Sequence, residues 1–204
     1  FTSVTVGVVF VEPGYERPDE LMRDADAATY RAKAVGRGRI EIFNTDMHRA
    51  SMAALQMETD LRRAIDREEF RLYFQPIVSL RDRKVRSFEA LLRWQHPTRG
   101  IVMPGDFINL ADDTGLILPI GEWVLRSACR QVKTWQKAGF EDVKVAVNIS
   151  ARQIQDQDLI QVLQDVQAQE GVDGRNLQLE VTEYATMRDL ERSERILKDI
   201  RAMG

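Results

Sequence analysis

The sequence is poor in the residues that build covalent or metal scaffolds. Its 204 residues include one cysteine, Cys129, and two histidines, His48 and His96. A single cysteine excludes an intrachain disulfide and a multi-cysteine zinc site, and two distant histidines argue against a histidine-built metal centre. Cys129 falls in a helical pattern with Trp123, Ala128, Val132 and Trp135, which reads as buried apolar filler rather than a catalytic thiol. Long hydrophobic runs are also missing. The longest, Val4 to Val11, is broken by Gly7 and is too short to span a bilayer, so no membrane contact is expected from this segment. Nor is one sign of charge in excess: 29 basic residues face 32 acidic ones, for a net charge of −3 and a pI of about 5.6. A protein that tracks a nucleic-acid polymer usually carries a basic surplus, and none is present. With 44% apolar and 30% charged residues, the chain can bury a core and is not a disordered or collagen-like segment. A reducing compartment, the cytoplasm, fits these features.

Both ends read as cuts. Phe1 to Phe10 begins inside an alternating, β-branched strand without an initiator methionine, and Met187 to Met203 reads as a helix stopped by Gly204. An internal slice of a longer chain is therefore expected. Residues 1–45 predict a strand, a turn at Glu12-Pro13-Gly14, a helix from Pro18 to Val35 and a short strand from Arg39 to Phe43. One long polar helix follows, within 46–69. Its Met47, Ala50, Ala54, Met57, Leu61 and Ala64 recur by three and four as a weak heptad seam. That seam suits either a connecting helix lying on its neighbours or a dimer-forming signalling helix.

From Phe70 strands and helices alternate. Strands are predicted at Arg71–Val78, Lys84–Trp94, Val143–Ile149 and Leu177–Val181. Helices are predicted at Pro104–Asp113, Gly121–Ala138, Asp158–Gln169 and Met187–Met203. Such units build a parallel sheet or a (β/α) barrel, and four strands leave a barrel incomplete. Acidic or amide residues recur within these strands: Glu89, Asn148 and Glu180. Carboxylates in otherwise apolar strands need a charge partner, and three such groups could converge at a barrel mouth. Oxygen donors of this kind suit magnesium, manganese or calcium rather than zinc. Glu89, Leu91 and Arg93 share a strand face, and Arg93 offers a donor fork for phosphate. Metal, arginine and carboxylates together suit phosphodiester hydrolysis. A buried Glu89–Arg93 ion pair accounts for the same spacing equally well.

The segments Tyr73-Phe-Gln-Pro-Ile77, Phe88-Glu-Ala-Leu-Leu-Arg-Trp94 and His96-Pro97 resemble the opening of an EAL domain. The resemblance continues, collinear, through Pro104-Gly-Asp-Phe-Ile108, Gly115-Leu-Ile117, Gly121-Glu-Trp-Val-Leu125, Val147-Asn-Ile-Ser150 and Leu179-Glu-Val-Thr-Glu183, so that 70–204 resembles the amino-terminal half of that domain. Leu21 to Phe43, with Asp24-Ala-Asp26 and Tyr30-Arg-Ala-Lys33, resembles the end of a GGDEF domain. The resemblance implies an α/β fold: an incomplete TIM-like barrel preceded by a linker helix and an α+β GGDEF remnant. It implies hydrolysis of cyclic di-GMP to the linear dinucleotide pGpG by the parent protein, using Mg2+ or Mn2+, or else an inactive cyclic di-GMP receptor. By the same resemblance Glu89, Asn148 and Glu180 are the metal positions, Glu89 and Glu183 act in catalysis, Glu183 steadying the neighbouring active-site loop, and Gln75, Leu91 and Arg93 bind substrate. A homodimer and an upstream sensor domain in the parent chain are expected with it. The family's later site residues would lie beyond Gly204 and the GGDEF signature before Phe1. Asp112 and Tyr184 depart from the common glutamate and small hydroxyl residue, neither at a metal position.

The remaining motifs read as structural. Gly36-Arg-Gly-Arg39 follows a helix and reads as a helix stop. Arg81-Asp-Arg-Lys84 with Arg86 reads as a solvated hairpin tip. Trp94, Trp123 and Trp135 read as core, and His96 before Pro97 as a turn residue.

Overall fold

Strands form where β-branched and aromatic residues alternate, and helices where apolar residues recur by three and four. The computed structural model describes residues 3–12, 15–36, 38–156, 158–182 and 189–204. They fall into two units, Phe1–Thr59 and Asp60–Gly204.

In the first unit β1 (Val6–Val8) pairs in parallel with β2 (Ile40–Ile42), and α1 (Pro18–Gly36) is the crossover between them. Parallel neighbours require such a crossover. A Cβ on Gly7 would strike the backbone of Ala25 and Thr29, so the glycine is what allows α1 to lie so close to β1. Small buried residues continue that fit: Ala27 and Ala28 pack with Met47, and Phe43 covers them. Tyr15 donates its hydroxyl to Asp24 across 2.9 Å, and desolvation together with this bond pushes the phenol's pKa up. α1 stops at Gly36, as expected of the glycine motif there. β1 is shorter than the alternating run suggests, because Val4 and Val11 face solvent.

Helix α2 (Thr45–Ala64) runs from the first unit into the second. The expected seam is buried at its ends, through Met47, Leu61 and Ala64, while Ala50 is exposed.

The second unit is a five-stranded sheet of order β3-β4-β6-β7, with β5 added to β4. β3 (Phe70–Val78) and β4 (Val85–His96) form an antiparallel hairpin. Its tip is exposed and basic, as expected, with Arg86 paired to Asp82. A side-chain hydrogen bond with Ser79 is the main reason that the Asp82 carboxyl lies below its usual range. β5 (Gly100–Val102), too short to read from periodicity, folds back antiparallel on the end of β4. β6 (Val145–Ile149) runs parallel to β4, and β7 (Leu177–Val181) parallel to β6. Among the described residues the sheet does not close: β3 and β7 are its two ends.

Helices cover one face of this sheet. α3 (Pro104–Thr114) opens on a proline, whose fixed φ suits the first turn, and closes on Gly115 at φ +81°. α4 (Ile117–Lys137) buries Ile120, Val124, Leu125, Ala128, Cys129 and Val132 and packs on β3 and β6. α5 (Ala151–Asp156), α6 (Leu159–Glu170) and α7 (Leu190–Ala202) follow. Phe70, Trp94, Phe107 and Trp123 pack ring to ring, with Phe70 and Trp123 centroids 5.7 Å apart. Trp135 packs on Phe74 and Phe88. Trp94 is fully buried, as expected of a core residue, whereas Trp123 and Trp135 are half-buried with their rings packed on core aromatics. Burial pushes the Cys129 thiol up to about 11, which fits an inert filler. Among the described residues no helix is long and apolar enough to cross a membrane.

Candidate active site

Strand β4 has two faces of opposite character. Ala90, Leu92, Trp94 and His96 are buried, whereas Glu89, Leu91 and Arg93 are half-buried on the other face. Residues in register across a sheet point the same way, so the open face can be read from the ladder. Gln75 lies opposite Glu89, Tyr73 opposite Leu91, and Arg71 opposite Arg93. On the other side Glu89 faces Ala146, and Asn148 faces Glu180. The sheet therefore gathers Gln75, Glu89, Leu91, Arg93, Asn148 and Glu180 on one face. Glu183 and Tyr184 lie outside the described residues.

The polar atoms of this face are connected. Asn148 Nδ2 donates to Glu89 Oε1 across 2.9 Å. Because Asn148 and Glu180 are in register, the amide stands between two carboxylate-bearing strands. Arg93 donates Nη1 to the Leu92 carbonyl at 2.7 Å, and its Cζ lies 5.7 Å from the Tyr73 ring centroid. Arg71 is tied to the Glu68 and Phe70 carbonyls at 2.6 and 2.7 Å. A Glu89–Arg93 ion pair, the bland explanation of their spacing, does not form. Four residues of strand separate their Cα atoms by about 13 Å, and Glu89 is held by Asn148 instead. Two guanidinium-bearing residues directly opposite each other repel; a positive patch on an otherwise carboxylate-lined face favours a bound anion.

The candidate metal positions offer two carboxylates and one amide. Among the described residues no three His, Cys, Asp or Glu side chains form a metal-holding group. An all-oxygen set of Glu89, Asn148 and Glu180 fits a hard divalent cation that keeps several waters.

The strands are held in place from behind. Ser150, two residues after Asn148, starts α5 with a reciprocal cap: Gln153 N donates to Ser150 Oγ at 3.2 Å, and Ser150 N donates to Gln153 Oε1 at 2.9 Å. Gln153 is itself buried, and its side chain lies against Gly121 of α4. His96 is more than a turn residue. It is buried, and its Nδ1 accepts from the Thr98 and Arg99 backbone amides at 3.2 and 3.3 Å. That fixes the ring proton on Nε2, which faces Asp60 Oδ2 at 3.4 Å. Glu69 accepts from Trp94 Nε1 at 2.9 Å. Asp60, in the last turns of α2, and Glu69, just after that helix, thus grip the inner face of β4, whose outer face carries Glu89, Leu91 and Arg93. Sequence reasoning missed Tyr73; its place two residues before Gln75, on the same strand face, was the available signal. A cavity of about 570 Å³ lined by Phe88, Trp135 and Phe140 lies at the other ends of β4 and β6, away from these groups.

The profile of the EAL domain family matches residues 58–204. The chain belongs to the EAL domain family. Its relatives extend the likeness to the first unit. A Pseudomonas aeruginosa protein described as the bifunctional diguanylate cyclase/cyclic di-GMP phosphodiesterase MucR is 40% identical over 202 residues, 99% of this chain and 30% of its own length. The Escherichia coli cyclic di-GMP phosphodiesterase PdeR is 35% identical over 204 residues, 100% of this chain and 31% of its own length. The chain thus spans under a third of these two relatives. The solved structure titled PaMucR phosphodiesterase, c-di-GMP complex, superposes with a TM-score of 0.70 at 42% identity, covering 73% of this chain and 60% of that one. In this EAL domain the glutamate of the name motif is Glu89.

Proposed function

We propose that this chain is part of a phosphodiesterase that hydrolyses cyclic di-GMP to pGpG. The observation that carries the reading is the hydrogen-bonded Glu89–Asn148 pair, in register with Glu180 and on the same sheet face as Arg93. The activities for which the relatives MucR and PdeR are named support it. On this reading Glu89, Asn148 and Glu180 hold a divalent cation, Mg2+ or Mn2+. When bound, such an ion supplies Lewis-acid polarisation of a phosphoryl oxygen and acidifies the attacking water. The chain's own residues do the rest. Arg93 presents its remaining N–H groups to the phosphate, Leu91 gives an apolar contact beside it, and Gln75 adds an amide at the edge of the face. Asn148 holds the Glu89 carboxylate in one orientation, and Glu183 is assigned to steady the neighbouring loop.

The domain assignment belongs to the same proposal: 1–45 as the end of a GGDEF domain, 46–69 as a connecting helix and 70–204 as the first half of an EAL barrel. Two features support it. The likeness to MucR runs through the first unit, and the sheet has open ends where further strands would add. A homodimer, an upstream sensor domain and a cytoplasmic setting complete the reading. A cyclic di-GMP receptor without turnover is the second reading, favoured by the Arg93 fork held beside Tyr73, which suits a phosphodiester without needing a metal. Assaying the full-length protein for conversion of cyclic di-GMP to pGpG decides between them. Product formation supports the enzyme; metal-independent binding without product supports the receptor.

A further inference from the structure

The geometry points to Tyr73 as the positioning residue for Arg93, an inference that rests on the phosphodiester-binding reading of this face. Arginine is a flexible side chain, and a mobile guanidinium would spread over many orientations rather than wait for a phosphate. Two contacts oppose that. The Leu92 carbonyl takes Nη1 at 2.7 Å, and the Tyr73 ring lies 5.7 Å below Cζ, within the range where a ring quadrupole attracts a cation. Arg71, directly opposite Arg93 in the ladder, adds like-charge repulsion that sharpens the need for a fixed orientation. Arg71 is itself held by backbone carbonyls. With the ring beneath it, the other edge of the Arg93 fork is left for an anion. Among the described residues Arg93 forms no ion pair that would occupy it.

Tyr73 is half-exposed, at 51%, so it is not needed to fill the core. Among the described residues its hydroxyl has no hydrogen bond, and the contact with Arg93 uses the ring. Phenylalanine should therefore replace it, whereas leucine should not.

The test uses the full-length protein. Turnover of cyclic di-GMP is measured for Tyr73→Phe and Tyr73→Leu, each alone and with Arg93→Ala. The 15Nε signal of Arg93 is recorded without nucleotide in the first two variants. Tyr73→Leu should raise KM about two- to fivefold with kcat unchanged, Tyr73→Phe should restore it, and Tyr73→Leu should add nothing to Arg93→Ala. The Arg93 signal should leave the ring-current position in Tyr73→Leu and hold it in Tyr73→Phe. An equal KM increase with and without Arg93, or an Arg93 signal that Tyr73→Leu does not move, overturns the inference. Absence of both binding and turnover in the unsubstituted protein overturns the phosphodiesterase reading instead, and the nucleotide-free signal still decides the role of Tyr73.

Discussion

Asn148 Nδ2 donates to Glu89 Oε1 across 2.9 Å, joining two residues 59 positions apart in the chain. Neither side chain can take this place unless β6 lies parallel to β4 in the observed register, with Ala146 beside Glu89. A one-residue slip would send Asn148 to the helix-covered face. Asn148→Leu removes the donor of a solvent-exposed hydrogen bond, so the stability cost should stay within about 0.5–1.5 kcal/mol. Urea unfolding should show that loss, together with a severe fall in turnover.

Ser150→Ala should cost about 1 kcal/mol, because it removes one half of the reciprocal cap that starts α5. Ser150→Thr should retain the cap. Comparing urea midpoints of the two variants at unchanged m-value is the check.

Gly7→Ala tests the close approach of α1 to β1. The added Cβ meets backbone of Ala25 and Thr29, which cannot move aside as a flexible side-chain end could. A loss of at least about 1–3 kcal/mol is expected, read as faster amide exchange in the paired residues of β1 and β2. An alanine variant with unchanged exchange would contradict the fit.

Cys129 makes a pH-dependent contribution. Its thiol rises from 9.0 to about 11 on burial, so the folded state holds the proton more tightly than the unfolded chain. The stabilisation is fully present below pH 9 and is lost as pH rises toward about 11. A Cys129→Ala variant should show a smaller fall in stability across that window than the parent. In native protein at pH 8 the thiol should resist a thiol reagent and react only after unfolding.

Much of the fold is visible in the residues themselves. The amphipathic α4, the proline that opens α3 and the glycine that ends it, and the alternating strands 70–96 each carry a local signal strong enough to place them. β5 and α5 do not. Three and six residues are too few to show a period, and β5 exists only because β4 extends far enough to receive it. Within the site, Glu89, Leu91 and Arg93 share a face by strand geometry alone. Their connection to Asn148 and Glu180 depends on a parallel register between distant segments, which no local pattern encodes. The resemblance to EAL domains supplied that link. His96 shows the opposite limit: its neighbour Pro97 suggested a turn, and only tertiary packing reveals the buried ring between Asp60 and the Thr98 and Arg99 amides.

The central claim is that Glu89 stands at the centre of a phosphodiesterase site. The most direct test incubates full-length protein with cyclic di-GMP and Mn2+, beside Glu89→Gln, and follows pGpG. The variant keeps the size of the side chain and its carbonyl acceptor for Asn148 but removes the charge. The account predicts pGpG from the parent and a loss of at least about a hundredfold in the variant, a magnitude typical of removing one group that stabilises transition-state charge. Equal turnover by Glu89→Gln would contradict it.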